Sequence, residues 1–336
     1  MKKIMFFRPM YYMGGTEIAI LNLVKRLEGY EIHIAYTDDT SSKELLEMYK
    51  EYAIVEKIDI NEKIEVDTLV ICTPYISVWN LIENIQRRNT YLWFHHFGHR
   101  SVSIFSDDRV INKIDKFIAV SETAVNIMLR QPYGEKIKSK ICVIYNILNV
   151  NEIIEKSKEP IELELSNTLN LVTVSRLCFE KGFKRILLLA NELKRQNIDF
   201  KWFVIGGNYY KDVEEKIKGM FKHLEENFVF FGFLDNPYNI IKQCDYLALL
   251  SDEETWGLVL TEAKILRVPC IVSDFEVAYE QIVDQKTGII VSREETDYSD
   301  EIEIMLKKQK EFKENLSSFK YSNIQTVKRW NKLLSK

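Results

Sequence analysis

Twelve glycines and six prolines in 336 residues exclude collagen-like repeats, elastic linkers and extended low-complexity disorder. Cysteine is scarce too. Cys72, Cys142, Cys178, Cys244 and Cys270 are scattered with no C-x-x-C pair, which suits free thiols in a reducing cytoplasm and excludes a disulfide scaffold or cysteine-based zinc site. No run approaches the ~18 apolar residues of a membrane span. The apolar stretch after Lys2-Lys3 is too short for a signal-peptide core, so the reading is a soluble, cytoplasmic protein. An excess of one charge is also missing: 46 basic residues against 50 acidic give a net charge of −4, which argues against nucleic acid as a partner. Three signatures are absent as well. Without G-x-G-x-x-G or G-x-x-x-x-G-K-[ST], the dehydrogenase and P-loop readings lose their main support. Without D-x-D, a metal-bridged diphosphate has no obvious ligands.

What is present is the composition of a globular protein, 46% hydrophobic and 29% charged, at a length that suits two domains. Short apolar or β-branched runs alternate with amphipathic ones. Strands are expected at 2–8, 31–36, 67–72, 91–95, 114–120 and 141–145, then at 169–175, 201–206, 228–231, 245–250, 269–273 and 288–291. Helical patterns fill the gaps, among them 16–27, 76–87, 182–195 and 257–266. This alternation predicts an α/β protein with parallel sheets and crossover helices: two Rossmann-like, doubly wound domains facing each other across a cleft. The first covers 1–149 and the second 167–317. The charged stretch 150–166, with its lone Pro160, is the expected linker, and an amphipathic helix at 318–336 packs back on the first domain. Two basic patches, Arg109 with Lys113 and Lys116, and Lys136 with Lys138 and Lys140, read as solvated surface or as contacts to the inner face of a membrane.

Ligands of doubly wound sheets bind beyond the carboxyl ends of the strands, and three motifs fall there. Met13-Gly14-Gly15-Thr16-Glu17 opens the first helix; it is either a close backbone approach to an anion or a tight turn capped by Thr16. Val174-Ser-Arg176-Leu-Cys-Phe-Glu-Lys181-Gly182 puts two cations in one strand-end loop. Both can converge on one phosphate-bearing ligand; the plain alternative is surface charge, with Glu180 beside Arg176. Ser251 to Ala263 carries Glu254 in the loop before a helix and Glu262 inside it. Gly257, Leu258 and Val259 supply helix-start N–H groups between them. Taken separately the two glutamates fit a solvated face, but a carboxylate inside the apolar run Leu258–Leu266 is expensive to bury unpaired.

The ordered set resembles the retaining glycosyltransferases of family four over essentially the whole chain. Glu254 to Glu262 with Trp-Gly-Leu between them is similar to that family's paired-glutamate signature. Val174-Ser-Arg-Leu with Glu180-Lys-Gly182, and Gly14-Gly15, are similar to its other two signatures. Smaller echoes are Val143-Ile-Tyr-Asn146, Ile205-Gly206-Gly207, Phe231-Gly232 and Pro269 to Asp274. Three departures stand out. Trp256 replaces the usual phenylalanine, Arg267 replaces the glycine two before Pro269, and Phe275-Glu276-Val277 lacks the usual glycine pair.

The resemblance implies the GT-B fold and transfer of a sugar, with retention, from a nucleotide-sugar to a glycan or lipid-linked acceptor. UDP is the expected nucleotide, polysaccharide or glycoconjugate synthesis the expected setting, and no cofactor or metal is expected. Arg176 and Lys181 are implied to neutralise the diphosphate, Glu262 to take the ribose hydroxyls and Glu254 the hydroxyls of the transferred sugar. Gly257, Leu258 and Val259 are implied to hold the distal phosphate, Gly14 and Gly15 to close over it, and Gly232 and Phe233 to line the donor site. A histidine of the first domain often contacts the sugar in this family. Here His95 is favoured, then His96, with His99 a third candidate. Two other outcomes stay open: a glycosyltransferase-like binding subunit without transfer activity, and a sugar-nucleotide epimerase on the same fold.

Overall fold

The computed structural model describes residues 1–59, 61–95, 103–208 and 210–336. The chain divides into two compact units, one of Met1–Leu148 with Ser322–Lys336, the other of Asn149–Tyr321.

Unit one is built on strands β1 (Lys2–Phe7), β2 (Tyr30–Tyr36), β3 (Ile54–Lys57), β4 (Ile64–Ile71), β5 (Ile85–Phe94), β6 (Lys116–Ala119) and β7 (Ile141–Val143). They form one sheet in the order β3-β2-β1-β4-β5-β6-β7, with every pair parallel. The order reverses direction between β1 and β4. Their central strands are almost continuously apolar and buried, as strands covered on both faces must be. The final helix, Ile324–Leu334, belongs to this unit: the Trp330 ring stands 4.8 Å from that of Trp93 and 6.5 Å from that of Phe6. Asn323 fixes its start by donating to the Leu148 carbonyl at 2.6 Å and accepting from the Leu148 N–H at 3.2 Å.

Unit two contains β8 (Leu169–Val174), β9 (Phe200–Ile205), β10 (Phe228–Gly232), β11 (Tyr246–Leu249), β12 (Cys270–Ser273) and β13 (Gly288–Val291). The parallel order is β10-β9-β8-β11-β12-β13, which reverses between β8 and β11. In its core Trp202 stacks on Phe228 at 5.5 Å. Its indole N–H donates to Thr173 Oγ1, which in turn donates to the Ala248 carbonyl, both at 3.0 Å. The relay satisfies two buried polar groups and ties β8 to β11.

Three local expectations change. The helix expected over 76–87 ends at Leu81, because β5 begins at Ile85 and pairs with β4 along its length. The Arg87 guanidinium donates to the carbonyls of Ile82 and Ile85 and closes the turn between them. The short edge strand β3 was not foreseen: it has four residues, none of them buried, and its pairing with β2 is reinforced by His33 Nδ1 at 2.6 Å from Glu56. The expected linker 150–166 opens with a helix, Val150–Lys156, that packs in unit two on the helices Tyr238–Ile241 and Leu258–Ile265.

Candidate active site

The reversal between β8 and β11 makes room at their carboxyl ends, and the two charged motifs of unit two leave the sheet there. After β8 the chain turns through Ser175 to Lys181 and enters the helix Phe183–Arg195 at Gly182. Gly182 has φ +73°, and a Cβ there would lie 1.7 Å from the Leu250 carbonyl oxygen, so only glycine fits. That close approach brings the two loops together. Asp252 N–H donates to the Glu180 carbonyl at 2.8 Å, and Arg185 donates to the Asp252 carboxylate at 2.9 Å.

Between the loops, Lys181 Nζ donates to Glu254 Oε1 at 2.6 Å, and the buried Ser251 hydroxyl donates to the same oxygen at 2.8 Å. Both charged side chains are largely shielded from solvent. Arg176 differs: it is exposed, and its guanidinium takes no carboxylate or carbonyl partner among the described residues. The alternative pairing with Glu180 does not form. This crevice thus holds one carboxylate engaged by a lysine and a serine, with a second cation free to meet an anion.

The Glu254 loop runs into the helix Leu258–Ile265 through Gly257, at φ +73°. The N–H groups at the start of a helix lack intrahelical partners. Leu258 and Val259 are partly exposed, as an anion contact there requires. Glu262, one turn further on, is buried. Among the described residues its carboxylate accepts from the Tyr238 hydroxyl, at a long 3.4 Å. Burial pushes its carboxyl up to about 7, against the smaller opposing effect of that hydrogen bond. A carboxylate so poorly solvated gains strongly from any hydroxyl that donates to it. Gly232 closes β10 after a register shift from Phe230, and Phe233 beyond it is half exposed.

In unit one the first helix, Gly15–Val24, starts at Gly14, and Glu17 in its first turn pairs with Arg8 at 3.2 Å. Arg8 directly follows β1, so this pair stands at the reversal point of its own sheet. His95 follows β5, its ring 4.4 Å from that of Trp93. Burial pushes its imidazole down to about 3, and the Arg8 charge acts in the same direction, so the ring is neutral at physiological pH. The sequence reading gave Arg8 no role; a lone arginine after a strand carries no signal until Glu17 is seen beside it. His96 and His99 lie outside the described residues.

The basic patches resolve into local pairs. Arg109 binds Asp107 at 2.7 Å, Lys136 binds Asp108 at 2.5 Å and Lys138 binds Glu135 at 3.3 Å, while Lys140 donates to backbone carbonyls. No helix among the described residues is long and apolar enough to cross a membrane.

Residues 154–322, half of the chain, match the family described as glycosyl transferases group 1. The chain belongs to that family. A 173-residue stretch is 33% identical to an uncharacterized 41.2 kDa protein in the cps region of Klebsiella pneumoniae, covering 50% of this chain and 45% of that protein. A 159-residue stretch is 29% identical to the N-acetylgalactosamine-N,N'-diacetylbacillosaminyl-diphospho-undecaprenol 4-alpha-N-acetylgalactosaminyltransferase of Campylobacter jejuni, covering 46% of this chain and 41% of the relative. The match thus spans less than half the length of these two curated relatives. The fold extends further than the sequence likeness. Anabaena HepE, solved in complex with UDP and glucose, aligns with a TM-score of 0.81 at 17% identity over 100% of both chains. Two parallel α/β sheets in this arrangement are the GT-B fold. For a group 1 glycosyltransferase, the crevice between β8 and β11 is therefore the candidate active site of unit two.

Proposed function

We propose that this chain transfers a sugar from a nucleotide-sugar, with retention at the anomeric carbon, to a glycan or lipid-linked acceptor. The observation that carries the reading is the Lys181–Glu254–Ser251 cluster at the sheet reversal, with the exposed Arg176 on the same loop as Lys181. Lys181 has three N–H donors and spends one on Glu254, so it can serve a phosphate oxygen as well. Arg176 and Lys181 neutralise the diphosphate as its bond to the sugar breaks and the electron pair moves onto the departing phosphate oxygen. That charge neutralisation is the basis for proposing metal-independent transfer. The acceptor hydroxyl forms the new bond on the same face, and its proton passes to a donor phosphate oxygen.

In this reading Glu254 orients the sugar hydroxyls, Glu262 the ribose hydroxyls, and the N–H groups of Gly257, Leu258 and Val259 hold the distal phosphate. Gly14, Gly15 and the neutral His95 keep the donor roles that the resemblance implies, and Gly232 and Phe233 line the donor site of unit two. UDP is the proposed nucleotide, in keeping with its presence in the HepE structure. The diphospho-undecaprenol acceptor in the Campylobacter relative's name supports the lipid-linked alternative. Membrane association enters only through such an acceptor, since most patch cations already have partners.

A thermal-shift panel of nucleotide-sugars tests the donor, because a ligand of the native state raises the melting temperature by mass action. Proton NMR of the product then reads the anomeric configuration, with and without EDTA. Retained configuration, insensitivity to EDTA and loss of transfer in Arg176→Ala and Glu254→Ala are expected. Binding without transfer to any acceptor would instead mark a binding subunit, and released free sugar nucleotides of altered configuration an epimerase.

A further inference from the structure

Gln281 closes the short helix Ala278–Gln281 and is almost fully buried. Its Oε1 accepts from Lys264 Nζ at 2.6 Å and from Thr261 Oγ1 at 3.2 Å, while its Nε2 donates to the Trp256 carbonyl at 2.9 Å. An ammonium can only donate, so Lys264 fixes which end of the amide is oxygen and leaves the NH2 end for Trp256. Lys264 also donates to the Gln281 main-chain carbonyl at 2.8 Å and stands 5.0 Å over the Phe319 ring. A buried ammonium whose hydrogen-bond partners both lie on one glutamine is a costly arrangement, and burial pulls its pKa down to about 8. Neither Lys264 nor Gln281 belongs to the set that binds the donor in the reading above.

The Trp256 carbonyl and the Gly257 N–H share one peptide plane and point in opposite directions. Holding the carbonyl on the Gln281 side therefore aims the Gly257 N–H away from Gln281. Gly257 sits at φ +73°, and glycine tolerates either sign of φ, so nothing intrinsic to this residue stops the 256–257 peptide from flipping. A flip would turn a carbonyl oxygen where an N–H is needed, at the start of the helix Leu258–Ile265.

We propose that Gln281 is a positioning residue of the donor site, clamped by Lys264 and Thr261 so that its amide locks the Trp256–Gly257 peptide with the Gly257 N–H set for phosphate. This rests on the donor-site reading given above. The clamp touches no substrate; it acts through the peptide it holds.

Gln281→Glu separates this role from packing. The carboxylate still accepts from Lys264 and Thr261, but it can no longer donate to the Trp256 carbonyl. Three measurements decide: urea unfolding, the NMR HN–Hα couplings of Gly257, which report its φ, and UDP binding by calorimetry. The expected result is an unfolding midpoint no lower than wild type, with the Gly257 couplings moved away from those of φ +73° and UDP binding about tenfold weaker. If Gln281→Glu does not fold, the double variant Lys264→Met with Gln281→Met removes the clamp without stranding a buried ammonium, and the same two changes are expected. Gly257 couplings that stay at their wild-type values overturn the proposal, as do altered couplings with undiminished UDP affinity. Wild-type protein that binds no nucleotide would instead sink the donor-site reading, and the couplings would still decide whether Gln281 locks the peptide.

Discussion

Lys181 and Glu254, 73 residues apart in the chain, meet at 2.6 Å because the loops after β8 and β11 are pinned together around Gly182. The pair is shielded enough that losing one partner strands the other. A double-mutant cycle with Lys181→Met and Glu254→Gln should give a coupling free energy of about 1–2 kcal/mol in urea unfolding. A coupling near zero would mean that the two groups are held by their loops and not by each other.

Glu262 should make stability fall with pH. Its folded-state pKa of about 7 lies above the ordinary 4.5, so the native state binds a proton more tightly than the unfolded chain. The associated stability is fully present below pH ~4.5 and is lost as pH rises through 7. Glu262→Gln should therefore be more stable than wild type by roughly 2–3 kcal/mol at pH 8 and nearly equal to it at pH 4. Denaturant melts at the two pH values check this, and an equal difference at both would refute it.

Gly182→Ala should be among the most damaging single-methyl changes in the chain, costing more than ~3 kcal/mol, because the new Cβ meets the Leu250 carbonyl and φ is already positive. Gly219→Ala is the matched control. It lies inside the helix Lys211–Met220 with open space around it, and it should stabilise by about 0.5–1 kcal/mol. Thermal melts of the two variants that moved in the same direction would be unexpected.

Arg267 adopts φ +62° just past the helix Leu258–Ile265, where most side chains are disfavoured. Arg267→Gly should relieve that strain and raise stability by roughly 1 kcal/mol, measured by urea unfolding. A drop in stability would show that the arginine side chain contributes more than the backbone loses.

The sheets were legible because parallel strands buried on both faces leave short apolar runs, such as Tyr246–Leu249 and Cys270–Ser273, at regular intervals between amphipathic segments. Edge strand β3 was not legible: its Ile54 and Val55 are too short an apolar run to stand out, and it takes its place from β2 and His33. Within the candidate site, residue type and position at strand ends pointed to Lys181, Glu254 and Glu262. The Gln281 clamp was invisible, because its three contacts join residues 17 to 25 apart in sequence, with no charge pairing or spacing to announce them. Arg267 was noticed as a departure from the family pattern, and its backbone angle now gives the physical reason glycine is usual there.

The helix carrying Trp330 has a consequence for synthesis. Unit one lacks the ring that packs on Phe6 and Trp93 until residues 322–336 have been made, after all of unit two. On the ribosome, where domains fold as they emerge, the second unit can finish first while the first waits with its core open. The amino-terminal half of this protein is thus the last to mature, and stalled or truncated chains would expose it, not the half that carries Lys181 and Glu254.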